Sequence, residues 1–461
     1  LFDFLKYNVP MWYYRLHGES ALPLFSDEEL ARLEREERIR RCWGYSQASA
    51  ERMDLVYQAL NIGAIPKGHE SGSKGVSTVN GVQDNYLFMA RHFHSKWSWY
   101  ALGLRLLSLR NPFVELSAFS ASRGKRLRGT VHKDLYRDFP QHVLPKSHSD
   151  ALVSVIIPTL DRYEYLKDVL DDLERQDHTN LEVIVCDQTD DFQGALYENR
   201  RIPVKVIRQQ EKALWKARIS CYHASAGDYL LLFDDDSRVA EDWVTQHLRC
   251  LSYFNVHISA GVTETVVGHG LSSKDGRFHL SDVFDTGNAM VSREVFEKIG
   301  LFDRMFEKQR MGDGEFGMRA YLGGYAVVSN PYAKRIHLKA EAGGLRHFGG
   351  WDAFRPGRLF APRPIPSVLY FCRRYFGASS ALYLLMLSLP TSIIPYRHKG
   401  DKRIKWLTPL LFPFAAPVLA IQAAISWRLS NRMLEHGSLI EFPAAKNEAI
   451  ADAGEGSLQT I

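Results

Sequence analysis

Between residues 153 and 233 four short apolar, β-branched runs recur: VSVII (Val153–Ile157), LEVIVCD (Leu181–Asp187), PVKVI (Pro203–Ile207) and DYLLLF (Asp228–Phe233). Runs of this length without polar alternation read as strands buried on both faces. The gaps between them are long enough for a crossover helix or loop. After the first run, Leu166, Val169, Leu170 and Leu173 recur at helical spacing, with Asp161 as the expected cap and Glu164 three residues on. Strand, crossover and strand again define an α/β chain with a mostly parallel central sheet and flanking helices. Ligands of such sheets collect beyond the carboxyl ends of the strands. Asp161, Asp187, Asp234, Asp235 and Asp236 all stand at those ends, so they are expected to converge on one cleft.

Three adjacent carboxylates raise one another's pKa unless positive charge sits beside them. A hard divalent cation, Mg2+ or Mn2+, takes oxygen ligands and is held by one or two carboxylates plus substrate phosphates. LLLFDDDSR therefore reads as a strand that delivers Asp234 and Asp236 to a metal bridging a diphosphate. The bland alternative is an acidic loop or a helix start. Its position after a buried strand, with other strand-end acids nearby, favours the metal. A dinucleotide-binding oxidoreductase would share the sheet, but no GxGxxG follows the first strand.

Over about 200 residues, Leu152 to Gly350, the chain resembles the family 2 glycosyltransferases of GT-A (Rossmann-like) fold, on four motifs in family order. VSVIIPTLDR resembles the opening strand and turn, VIVCDQTDD the second strand, GDYLLLFDDD the DxD strand, and MGDGEFGMR the acceptor-side helix. The resemblance implies inverting transfer from a nucleoside-diphosphate sugar to a hydroxyl of a saccharide or lipid-linked saccharide, in cell-surface polysaccharide biosynthesis. A catalytically silent nucleotide-sugar-binding scaffold is the competing expectation.

By resemblance, Pro158, Thr159 and Asp187 contact the nucleoside, with Asp161 and Asp235 on the donor side. Arg218, in WKAR, approaches the diphosphate, although Ile219 replaces the family's Asn. Asp313 aligns with the catalytic base, Gly312 standing where the family commonly has Glu, and Glu315 is the substitute candidate. A helix N-terminus favours an ionised carboxylate, as a base requires. His337 is expected to complete the metal site or touch the diphosphate, with Lys339 and Arg346 closing over it. DTGNAMVSREVFEKIGLFD resembles the floor of the acceptor site, with Gly287 and Asn288 in close approach.

The flanks differ in kind. At 461 residues the chain exceeds one ordinary domain, and its 24% charged and 45% hydrophobic residues exclude wholesale disorder. A formal charge of +5 is too mild to argue for nucleic acid. Basic residues bunch instead at Arg123–Lys133 and Arg397–Lys405, which suits a membrane surface. Five scattered cysteines without a CxxC fit a reducing cytoplasm, and no signal peptide is visible.

Residues 1–150 are expected to be helix-rich. Ser26 caps a helix in SDEELARLEREERIRR, and KWSWYALGLRLLSLR suits either a membrane interface or a buried helix. After 350, Phe376–Tyr396 and Trp406–Trp427 carry no charge and are long enough to cross a bilayer. A simple hairpin with its basic loop inside would place the catalytic domain outside, where nucleotide sugars are scarce. Pro390, Pro395, Pro409, Pro413 and Pro417 also disfavour straight helices. The expectation is a monotopic or re-entrant pair on the cytoplasmic face of the membrane, docking onto residues 1–150 being the alternative, with a disordered tail from 437.

Overall fold

The computed structural model describes residues 1–16, 25–66, 79, 81–127, 135–265, 276–340, 343–345, 352–355, 358–394, 398 and 402–443. The N-terminal region is helical there: α1 (Leu5–Asn8), α2 (Asp27–Arg35), α3 (Ala48–Ile62), α4 (Val82–His92), α5 (Ser95–Leu107), α6 (Pro112–Ser122) and α7 (Lys146–Ser149). α2 starts as the sequence predicts. The Ser26 hydroxyl accepts from Glu29 N–H while the Glu29 carboxylate accepts from Ser26 N–H. Phe4, Tyr7, Tyr86 and Phe119 form an aromatic cluster among α1, α4, α5 and α6, whereas Phe2, Tyr13 and Tyr14 join the main core.

The sheet has nine strands: β1 (Val153–Thr159), β2 (Leu181–Asp187), β3 (Val204–Arg208), β4 (Tyr229–Phe233), β5 (Ser237–Val239), β6 (Ile258–Thr265), β7 (His279–Leu280), β8 (Asn288–Ser292) and β9 (Val327–His337). Its order is β3-β2-β1-β4-β8-β6-β9-β5, with β7 on β9. The first four strands are parallel, as the apolar runs predict, and Thr159 pairs with Asp187. Beyond β4 the sheet is mixed. β8 pairs antiparallel with both β4 and β6, whereas β6 and β9 are parallel.

Helices α8 (Tyr163–Leu173), α9 (Leu214–Ala224), α10 (Trp243–Phe254), α11 (Arg293–Ile299) and α12 (Gly312–Leu322) flank the sheet. α8 buries the predicted stripe of Leu166, Val169, Leu170 and Leu173. Asp161 does not cap it. The N-cap is Arg162, without a side-chain bond, and Asp161 sits in left-handed backbone at φ 54°.

α13 (Pro366–Thr391) bends at Gly377, whose φ of 83° breaks the helical geometry, and α14 (Lys402–His436) follows. Much of α13 is docked rather than lipid-facing. Phe376, Ala381, Leu384 and Leu385 are buried, Tyr383 meets Tyr7 edge-on, and Arg15 donates to Ser380 Oγ at 2.9 Å. Docking onto the N-terminal region is thus realised for the first apolar segment. Among the described residues, only Leu410–His436 is long and apolar enough to cross a membrane. Pro409, Pro413 and Pro417, expected to disfavour a straight helix, lie inside α14 without ending it, and Pro395 lies outside the described residues.

The tail expected to be disordered from 437 is instead ordered at its start. Glu441 O accepts from Leu301 N–H at 2.8 Å, and Leu439 N–H donates to Asp303 Oδ1 at 2.9 Å. Residues 444–461 lie outside the described set.

Candidate functional site

β4 ends at Phe233, and the three acids that follow it are held by three arginines from distant elements. Asp234 Oδ1 accepts from Arg218 Nη2 of α9 and Oδ2 from Arg335 Nη1 of β9, each at 2.9 Å. Both guanidinium groups are buried. Arg218 also donates to Thr286 O at 2.6 Å, while Arg335 reaches Gly287 O at 2.8 Å and Asp285 Oδ2 at 3.1 Å. At Gly287 an added Cβ would lie 2.1 Å from Arg335 Nη1 and 2.3 Å from Asp234 Oδ2. Only glycine lets the 285–288 turn approach so closely.

Asp235 is buried against Thr159 Oγ1 at 2.8 Å and Arg162 Nη1 at 3.0 Å. Burial pushes its pKa up to about 6, with Arg162 opposing and Asp236 reinforcing the rise. Asp236 behaves differently. Burial would raise it too, but His337 and Arg162 outweigh that and hold its carboxyl below the usual range. Asp236 Oδ2 meets Arg162 Nη1 and Ala340 N, each at 3.1 Å. Its Oδ1 is buried and lies 3.2 Å from His337 Nε2.

Asp234, Asp236 and His337 each bring one ligand atom within 4.8 Å of the others. Two carboxylates and an imidazole fit a divalent cation such as Mn2+. Asp236 and His337 are the better placed, since both Asp234 oxygens already accept from guanidinium groups. Those arginines orient the acid as outer partners of metal ligands commonly do.

Asp313 lies in the first turn of α12, after Met311 in left-handed backbone at φ 79°. Its Oδ1 accepts from Thr286 Oγ1 at 2.7 Å. A chain of contacts thus runs from Asp313 through Thr286 and Arg218 to Asp234. Asp313 lines a cavity with Trp215, Thr286, Lys308, Arg310 and Leu345.

Other expected site residues stand elsewhere. Glu315, the substitute base, is fully buried, accepting from Arg319 Nε at 2.8 Å and from the Tyr375 hydroxyl at 2.6 Å. It belongs to the packing between α12 and α13. Asn288 is equally buried; its Oδ1 accepts from Trp243 Nε1 and its Nδ2 donates to Val262 O and Ala333 O. It anchors the sheet and presents nothing to an acceptor. Arg218 is turned inward to Asp234 rather than outward to a diphosphate. Asp187 is buried, with Oδ2 accepting from the Tyr163 and Tyr197 hydroxyls and Oδ1 from Thr189 N–H. Pro158 and Thr159 are buried in β1, and the Thr159 hydroxyl is given to Asp235. Asp161 is exposed on the turn after β1, and its N–H donates to Thr189 Oγ1 at 2.8 Å.

Lys339 is exposed in left-handed backbone two residues after His337, and Arg346 lies outside the described residues. Part of the glycine-rich stretch does fold over the end of β1. Gly344 N–H donates to Leu160 O at 2.8 Å, and Gly343 sits where a Cβ would lie 2.6 Å from Asp161 O.

The sequence reading did not single out Arg162, Arg335, Thr286 or Glu307. Arg335 had a usable signal, standing two residues before His337 and therefore on the same face of one strand. Glu307 had none. Its carboxylate accepts from Leu214 N–H at 2.6 Å and Trp215 N–H at 3.1 Å, capping α9 from ninety-odd residues away.

Residues 154–300 match the family described as Glycosyl transferase family 2. Glycosyltransferase GlyA of Streptococcus pneumoniae is 22% identical over 166 residues, which is 35% of this chain and 23% of that protein. The match thus spans less than a quarter of the relative's length. Among solved structures, S. aureus TarS 1–349 in complex with UDP-GlcNAc is 15% identical over 64% of this chain and 97% of that one, at a TM-score of 0.42. The mannosyltransferase PcManGT from Pyrobaculum calidifontis, in complex with GDP-Man and Mn2+, is 14% identical over 62% and 79%, at 0.36. The family match falls on the parallel strands, the acids and the 285–288 turn just described, and this part of the chain is a family 2 glycosyltransferase domain of GT-A type.

Proposed function

We propose that the chain is an inverting glycosyltransferase that moves a sugar from a nucleoside-diphosphate donor to a hydroxyl of a saccharide or lipid-linked saccharide. The observation that carries the reading is the linkage of Asp313 to the acid cluster. One residue, Thr286, donates its hydroxyl to Asp313 while its carbonyl receives Arg218, which fixes Asp234. Base and cluster are thus tied through one shared residue, which supports a common role in attack on the anomeric carbon.

In the reaction, Asp313 takes the proton of the acceptor hydroxyl as its oxygen bonds to the anomeric carbon. The bond from that carbon to the diphosphate breaks on the opposite face, and its electron pair leaves with the nucleoside diphosphate. Asp236, His337 and Asp234 would hold a divalent cation, Mn2+ or Mg2+, which neutralises charge on the departing diphosphate when bound. Arg162 and Arg335 aim the carboxylates. Asp187 and the β1 end would border the nucleoside once Tyr163 or Tyr197 shifts, and Lys339 and Arg346 would meet the diphosphate.

The acceptor is proposed to be lipid-linked and the enzyme to act at the cytoplasmic face of a membrane in cell-surface polysaccharide synthesis. Support comes from α14, whose Leu410, Phe414 and Ile421 are exposed. The test is product mass spectrometry with UDP-, GDP- and dTDP-sugars on lipid-linked and free acceptors. Expected is turnover that chelation abolishes, that Mn2+ or Mg2+ restores, and that Asp236→Asn lowers by weakening metal binding. Donor binding without turnover under every donor and metal would make the chain a silent scaffold instead.

A further inference from the structure

The hairpin of α5 and α6 projects apolar side chains that the fold leaves uncovered. Leu107 and Leu109 are 81% and 94% exposed, Phe113 is 82% exposed, and Trp99, Val114 and Leu116 are about half exposed. Leu109 also holds left-handed backbone at φ 56°, a region that leucine rarely adopts. A soluble turn would favour Gly or Asn at that point and would not cluster leucine and phenylalanine around it.

The charge along this hairpin has one sign, with Arg110 at the tip and Lys96, Arg123, Lys125 and Arg126 at its other end. Residues 95–126 contain Lys96, Arg105, Arg110, Arg123, Lys125 and Arg126 against a single acid, Glu115. Glu115 is buried and paired with Arg105 at 2.6 Å. The exposed surface of the hairpin is thus cationic and apolar with no carboxylate. α13 continues the apolar character, since Tyr383 joins the aromatic cluster beneath α5 while its neighbours Leu382 and Met386 are exposed.

We propose that the α5–α6 tip inserts into the interfacial layer of a bilayer rich in anionic lipid, making the N-terminal region a second membrane contact beside α14. Leucine and phenylalanine enter the acyl boundary while Arg110, Arg123, Lys125 and Arg126 meet the headgroups. Two contacts from opposite ends of the chain would fix the catalytic domain's orientation over the surface. The inference rests on the membrane reading of α14, and its test separates the two.

In the full chain with Cys42→Ser, Phe113→Cys or Phe414→Cys is labelled with an environment-sensitive fluorophore; the other native cysteines are buried. The protein is mixed with vesicles of equal phosphatidylcholine and phosphatidylglycerol carrying brominated chains. Expected is a blue shift and quenching at both positions, with each charge removal at Arg110, Arg123 or Lys125 lowering vesicle affinity about fivefold. Quenching at 414 but not at 113 overturns the hairpin contact and leaves the membrane reading standing. An aqueous label at both positions overturns both. Shielding at 113 that grows with protein concentration without vesicles shows instead that a second copy covers the tip.

Discussion

Asp313 and Glu315 stand two residues apart on one helix, yet the structure gives them unrelated tasks that substitution should separate. Glu315 is fully buried, and both its oxygens accept from Arg319 Nε, at 2.8 and 3.0 Å, with Tyr375 OH at 2.6 Å. Arg319 in turn donates to Ile299, Gly300 and Leu301 carbonyls, tying α12 to the end of α11. Glu315→Ala leaves a buried guanidinium uncompensated and a phenol unpaired. Breaking such a pair costs about 3–5 kcal/mol. At about 2–4 °C per kcal/mol for a domain of this size, the melting temperature should fall by roughly 10 °C.

Asp313→Asn keeps the shape and an acceptor for the Thr286 hydroxyl and removes a charge near a helix N-terminus, a term worth less than about 1 kcal/mol. Its melting temperature should move by no more than roughly 3 °C. Turnover should drop by about 10²–10⁴-fold if its carboxylate is the base. The paired measurement is thermal unfolding of each purified variant followed by donor turnover at a temperature where all are folded. A Glu315→Ala protein that melts with wild type but has lost turnover would refute this division of labour. So would an Asp313→Asn enzyme of wild-type rate.

Gly287→Ala should be inactive although only one methyl is added, because the Cβ would lie 2.1 Å from Arg335 Nη1 and must displace Asp234. Mn2+ titration by calorimetry should show weakened binding, and wild-type affinity would contradict the steric argument. The pH dependence of stability should carry the mark of His247, whose ring is buried between Ser259 Oγ and Asn288 Oδ1 at 2.9 and 3.1 Å. Burial pushes its pKa down to about 4, below the unfolded value of about 6.5. Between those values the unfolded chain binds the extra proton, so the histidine's contribution is full above pH ~6.5 and falls by roughly 3 kcal/mol toward pH ~4, while Asp235, raised to about 6, contributes in the opposite sense over much of that window. The mark of His247 is therefore the difference between wild type and His247→Gln in denaturant unfolding, which should shrink as pH falls from ~6.5 to ~4; a difference that does not change with pH would exclude the histidine.

The parallel half of the sheet was legible because its signal is local. VSVII and DYLLLF cannot bury their side chains except as interior strands, and their polar stops fall where strands end. The same holds for Ser26 with Glu29, a cap made within four residues. The mixed half was not legible, because β8 and β9 are defined by partners rather than by pattern. The site divides in the same way. Sequence alone determined that Asp234, Asp235, Asp236 and Asp313 would stand at strand and helix ends, since backbone periodicity fixes that much.

Only tertiary structure decided which acids remain at the cavity and which are bound within the fold. Arg335 reaches Asp234 across 101 residues and Tyr375 reaches Glu315 across 60. A carboxylate's chemistry depends on the charges within a few ångströms of it, and chain folding, not chain order, chooses those neighbours.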